Sequence, residues 1–147
     1  MNRTMRATLA GLATAALVSC DSGSSVPSVA DLQQHQAAWA SHHLTRYAYR
    51  YMTSGYFISW DGQLMRLVVL GDTVRSAQFV ATNDSVPGAT GLPTIDQLFE
   101  RAITARENGA LLAAEFDTTL GFPTRLVFDG PPDASGTITA SSIEFLP

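Results

Sequence analysis

Hydrophobic periodicity changes twice along this chain of 147 residues, in the same direction each time. Ser28-Val29-Ala30-Asp31 has the form of a helix N-cap with an acidic residue three places on. Leu32, Gln36, Trp39 and His43 then recur at helical spacing, with an apolar face carried chiefly by Leu32 and Trp39. At Thr45 the period falls to two. Tyr47, Tyr49 and Tyr51 share one face of a strand, and Arg46, Ala48 and Arg50 the other. Ser59-Trp60-Asp61-Gly62 carries an Asp-Gly hairpin signal, Leu64 to Leu70 reads as a second strand, and Val74 to Thr82 as a third. Asn83 to Pro93, with two prolines and two glycines, reads as an exposed loop.

The cycle then repeats. Thr94-Ile95-Asp96-Gln97 is a capping box, Ile95, Leu98, Phe99, Ala102 and Ile103 form an apolar stripe, and Asn108-Gly109 ends the helix. Three more strands are predicted over Ala110 to Phe116, Thr124 to Phe128 and Thr137 to Phe145. This order predicts an α+β fold: two helix-plus-three-strand units forming an antiparallel sheet with both helices on one face. Trp39 and Phe99 are expected to pack against that sheet.

The N-terminus reads differently. Arg3 and Arg6 precede Ala7 to Val18, twelve residues without a charge, which is the layout of a secretory signal peptide and too short for a spanning helix. Ser19 before Cys20, with Leu17 further back, resembles the lipobox of bacterial lipoproteins. That resemblance implies a diacylglyceryl group on the Cys20 sulfur, cleavage before the cysteine, and a further acyl chain (commonly palmitate) on the new N-terminus. Two or three chains hold a protein stably on a membrane. The expected organisation is a signal peptide at 1–19, lipidated Cys20 and a Ser/Gly-rich flexible tether at 20–28, and a single α+β domain at 29–147. The expected location is the bacterial cell envelope, facing the periplasm or the exterior, on either the inner or the outer membrane.

Cys20 is the only cysteine, so no intramolecular disulfide can form. All nine basic residues are arginine, and removing the signal segment leaves seven against thirteen acids, a formal charge of −6. The arginines are scattered. That pattern argues against a nucleic-acid partner and does not favour electrostatic adhesion to anionic lipid.

From Trp39 onward the chain resembles the bacterial lipoprotein family known as domain of unknown function 6174. The resemblance rests on Trp39 before Tyr47-Ala48-Tyr49, then Thr94, Ile95, Asp96, Leu98 and Phe99. It closes with Phe116-Asp117, Gly121-Phe122-Pro123 and Asp129. Members often carry cysteines just after the Tyr-x-Tyr strand, where this chain has Ser54, Gly55, Tyr56 and Phe57, so no thiol role carries over. The family has no established activity, and the resemblance implies a grouping and a location.

No catalytic, metal or cofactor constellation stands out. His35 and His42 would be about 10 Å apart along a helix, too far to share a metal bound at about 2 Å from each ligand, and His42 and His43 diverge. Glu115 and Asp117 fall on one strand face about 7 Å apart, a spacing that suits paired carboxylates in glycoside chemistry. Asp117 also precedes a turn, where aspartate caps its own backbone. Asp129 and Asp133 flank a Gly-Pro-Pro turn and read as structural. No nucleophile elbow, phosphate loop or dinucleotide fingerprint occurs. The richest aromatic cluster after the tyrosine strand is Tyr56, Phe57 and Trp60, a possible binding surface. The expected function is a lipid-anchored, non-enzymatic module that binds a protein or small molecule. The alternative is a small hydrolase of envelope material using Glu115 and Asp117.

Overall fold

Ser28 and Thr94 start the two helices by the same device. The structure, a computed structural model, describes residues 26–56, 58–131 and 135–147. The expected signal peptide, Cys20, most of the expected tether, Phe57 and Asp133 lie outside the described residues. The Ser28 hydroxyl accepts from the Asp31 N–H at 3.2 Å, and the Asp31 carboxylate accepts from the Ser28 N–H at 2.8 Å. Thr94 and Gln97 repeat the exchange at 3.3 and 2.9 Å. Each box satisfies main-chain donors that a helix start leaves open. The Ser28 hydroxyl also donates to Asp31, which holds that exposed carboxyl below its ordinary range. Helix α1 runs Val29–Ala40 and buries Leu32 and Trp39; α2 runs Ile95–Glu107 and buries Ile95, Leu98, Phe99 and Ala102.

Among the described residues six strands, β1 (Arg46–Ser54), β2 (Met65–Leu70), β3 (Thr73–Phe79), β4 (Leu111–Phe116), β5 (Pro123–Phe128) and β6 (Gly136–Phe145), form one antiparallel sheet in the order β3-β2-β1-β6-β5-β4. Tyr47, Tyr49 and Tyr51 lie opposite Val69, Leu67 and Met65 of β2. Tyr51 and Thr53 lie opposite Ala140 and Ile138 of β6. All of these side chains are buried. The other face carries Arg46, Arg50, Arg66 and Arg125 and stays wet, with Arg66 paired to Glu144 at 2.6 Å and Arg125 to Glu115 at 3.1 Å.

The predicted grouping into two helix-plus-three-strand units with both helices on one face is corrected. The two sets of three strands are fused through β1 and β6, and of the three strands that follow it in sequence α1 meets β1, through Trp39 and Tyr47. Helix α1 packs beside α2, and Gly121 of the β4–β5 connection comes so close that an added Cβ would stand 3.1 Å from the Ala38 Cβ. Over β2 and β3 the cover is the segment read as an exposed loop. Its Val86 and Leu92 are buried, its 3-10 turn Ala89–Gly91 packs on β3, and Ser85 bridges to Gln78. Two tyrosines of β1 fasten this segment and the start of α2 to the sheet: the Tyr49 hydroxyl donates to the Pro93 carbonyl, and the Tyr47 hydroxyl accepts from the Ile95 N–H at 3.1 Å.

Those tyrosines give the fold a pH signature. Burial pushes the phenols of Tyr47, Tyr49 and Tyr51 up, Tyr51 to about 12, against an ordinary value of 10.0. A phenol with a raised folded pKa contributes stability that is fully present below the unfolded value and lost as pH climbs through the folded one. Unfolding free energy is therefore expected to fall from about pH 10 upward. In an absorbance titration these three should ionise later in the folded protein than in denaturant. Ionisation of all of them near pH 10 without loss of fold would contradict their burial.

Candidate functional site

With Leu98, Phe99 and Ala102 turned to the sheet, the register of α2 places Gln97, Arg101 and Thr104 along one flank, at four- and three-residue spacing. That flank faces the end of β5. Gln97, Glu100, Arg101, Thr104 and Ala105 on one side and Ala110, Phe128, Asp129, Gly130 and Pro131 on the other enclose a cleft of about 600 Å³ with a mainly apolar wall. The Arg101 guanidinium sits 5.4 Å from the centre of the Phe128 ring and 5.6 Å from that of Tyr56. The ion pairs among the described residues lie on the open sheet face, and Arg101 belongs to neither. Two aromatic rings thus position a permanent cation while leaving its N–H groups for another acceptor. Tyr56 reaches this place because β6 begins with Gly136, where an added Cβ would stand 2.6 Å from the Tyr56 ring. The Tyr56 hydroxyl is buried without a hydrogen-bond partner, and burial raises its pKa.

A family model described as a family of unknown function, DUF6174, matches residues 31–144. The chain belongs to this family. No curated protein and no solved structure matches the chain. The DUF6174 span includes every residue that lines the cleft.

The aromatic surface expected at Tyr56, Phe57 and Trp60 is divided among different surroundings. Tyr56 is buried beneath Arg101, Trp60 is half-buried against the core, and Phe57 falls outside the described residues. Glu115 is exposed and paired with Arg125, while the Asp117 carboxylate accepts from the N–H groups of Thr119 at 2.9 Å and Leu120 at 2.6 Å. Neither lines the cleft. Asp117 thus caps the turn that Gly121 completes at φ +80, as its position before that turn predicts. Asp117→Asn is expected to cost about 1 kcal/mol through weaker capping bonds, measurable by urea denaturation. A loss above about 3 kcal/mol would contradict a capping role. His35 stacks on Phe116 with ring centres 3.8 Å apart, and among the described residues no three His, Cys, Asp or Glu side chains are placed to hold a metal.

Arg101, Phe128 and Asp129 carry the cleft; in the sequence Asp129 reads as a structural turn residue, and Arg101 and Phe128 do not stand out. The helical register of Gln97, Arg101 and Thr104 was available as a signal. The arrival of Phe128 from β5 and of Tyr56 from the connection after β1 was not.

Proposed function

We propose that this DUF6174 protein is a lipid-anchored, non-enzymatic binding module of the bacterial cell envelope. It is held on its membrane through Cys20 and takes a small amphipathic molecule with an anionic group into the cleft between α2 and β5. The observation that carries the binding reading is Arg101, set over the Tyr56 and Phe128 rings beside an apolar wall and free of any ion pair among the described residues. A hydrogen bond to a charged group contributes about 1.5–3 kcal/mol, enough to orient a ligand whose apolar part covers the wall. The anchor is supported by the Leu17 to Cys20 lipobox behind an uncharged run. Hydrolysis through Glu115 and Asp117 has no comparable support, since Arg125 engages one carboxylate and turn amides the other.

Two measurements test the two halves. Mass spectrometry of membrane-extracted protein is expected to find a diacylglyceryl mass on a peptide beginning at Cys20; a mature form beginning after residue 20 would overturn the anchor. A thermal-shift panel of carboxylate- and phosphate-bearing amphiphiles is expected to stabilise the wild type, with affinity about tenfold lower in Arg101→Gln. Stabilisation that is unchanged in Arg101→Gln would remove the cleft from the account.

A further inference from the structure

The sheet has two ends, and they differ. At one end lie the C-termini of β1, β3 and β5 and the N-termini of β2, β4 and β6, as the pairings Tyr51↔Met65, Met65↔Phe79, Ser54↔Thr137, Phe128↔Gly136 and Leu111↔Phe128 require. The last turn of α2 reaches the same end, where Ala110 leads into β4 and its carbonyl accepts from the Asp129 N–H at 2.8 Å. Among the described residues, three of the four exposed large apolar residues lie at this end, spread from one edge of the sheet to the other: Ile58 after β1, Val80 after β3 and Leu112, the second residue of β4, at 42, 36 and 48 % exposure. Phe145, the fourth, is at the opposite end.

The N-terminal segment is fastened at this same end. Val26 packs on the core, and the Arg106 Nε donates to the Pro27 carbonyl at 2.8 Å from the last turn of α2. Ser28 then caps α1. The chain is therefore fixed to the domain from Val26 onward, six residues beyond Cys20. Six fully extended residues span at most about 20 Å. A lipid on Cys20, the premise taken from the proposed function, would hold this end within that distance of the bilayer. The cleft reaches the same end through Ala105, Ala110 and Asp129 to Pro131.

We infer that this end of the sheet rests on the bilayer, with Ile58, Val80 and Leu112 at the interface, and that the α2–β5 cleft takes a phospholipid headgroup bearing both a phosphate and an ammonium group. The charge of the lining selects that headgroup. Arg101 supplies one cation and Glu100 and Asp129 two carboxylates, so a purely anionic headgroup would meet repulsion beside its one attraction. A headgroup with both signs matches all three side chains. The formal charge of −6 on the mature chain likewise disfavours an anionic bilayer and leaves apolar contact and the anchor to hold the surface down.

The test uses the full lipidated protein in vesicles of phosphatidylethanolamine and phosphatidylcholine, with the mass on Cys20 confirmed in the same sample. A fluorophore is attached through Ile58→Cys, Leu112→Cys or, as the far-end control, Phe145→Cys, and quenched by spin-labelled lipid. Quenching at positions 58 and 112 is expected to exceed that at 145 several-fold. Equal quenching in a sample whose Cys20 carries lipid would overturn the orientation while leaving the anchor standing; a sample without the lipid mass would overturn both. In detergent, short-chain phosphatidylethanolamine is expected to bind about tenfold more tightly than short-chain phosphatidylglycerol, a preference that Glu100→Gln combined with Asp129→Asn abolishes, whereas Arg101→Gln weakens both lipids. Equal affinity, or a preference for the glycerol headgroup, would overturn the headgroup assignment.

Discussion

Trp39→Ala is expected to cost about 3–5 kcal/mol, the usual range for truncating a buried aromatic. Trp39 is 3 % exposed and sets its ring edge-on to Tyr47 at 5.3 Å and to Phe122 at 6.0 Å. It therefore joins α1 to β1 and to the β4–β5 connection at once. Leu32 is the other buried residue of α1, so truncation removes most of what holds that helix down. Domains are stable by only about 5–15 kcal/mol, and a loss of this size leaves a small one near its melting point. Phe99→Ala is expected to fall in the same range, because Phe99 is fully buried and stacks near Phe116 at 6.2 Å. Arg75, exposed on β3 and in no ion pair among the described residues, provides the contrast. Arg75→Ala is expected to shift stability by less than about 0.5 kcal/mol. Equal, small changes for all three in chemical denaturation would contradict the packing.

Gly136→Ala is expected to be as damaging, for a reason of space. An added Cβ at Gly136 would lie 2.7 Å from the Ser54 carbonyl oxygen as well as 2.6 Å from the Tyr56 ring. The ring can tilt away, but the carbonyl belongs to the main chain of a paired strand. The cost is expected at or above the top of the roughly 1–3 kcal/mol usual for overpacking. Tyr56 is also displaced from beneath Arg101, so ligand affinity should fall with stability. Gly62→Ala separates conformation from space: Gly62 has φ +75 and nothing within 4 Å of an added Cβ. There only the left-handed backbone is penalised, by about 1–2 kcal/mol. Similar losses at positions 62 and 136 would show that crowding at Gly136 is relieved by movement.

What was legible in the sequence is what depends on neighbours along the chain. The capping boxes at Ser28 and Thr94, the alternation of Tyr47, Tyr49 and Tyr51, and the capping role of Asp117 each require only a few consecutive residues, and each stands in the structure. The order of strands was not legible in that way. Pairing β1 with β6 joins segments nearly the whole domain apart, and the alternating pattern of either strand fits any partner with a matching buried face. Asn83 to Pro93 was misread because Val86 and Leu92 stand singly among glycines and prolines and form no period. The cleft was hidden for the same physical reason. Arg101 reads as one solvated charge on a helix flank until Tyr56, from the connection after β1, and Phe128, from β5, arrive beneath it. Tyr56 reads as a surface aromatic until the missing side chain of Gly136 makes room for it.

Native mass spectrometry of the full protein, released from its own membranes in mild detergent, tests the proposed binding role most directly. The wild type should carry a noncovalent small-molecule adduct in addition to any covalent mass on Cys20. Arg101→Gln, confirmed as folded by its melting curve, should lose that adduct and keep the covalent mass. A wild-type protein that emerges bare, or an adduct retained equally by folded Arg101→Gln, would contradict a ligand site between α2 and β5.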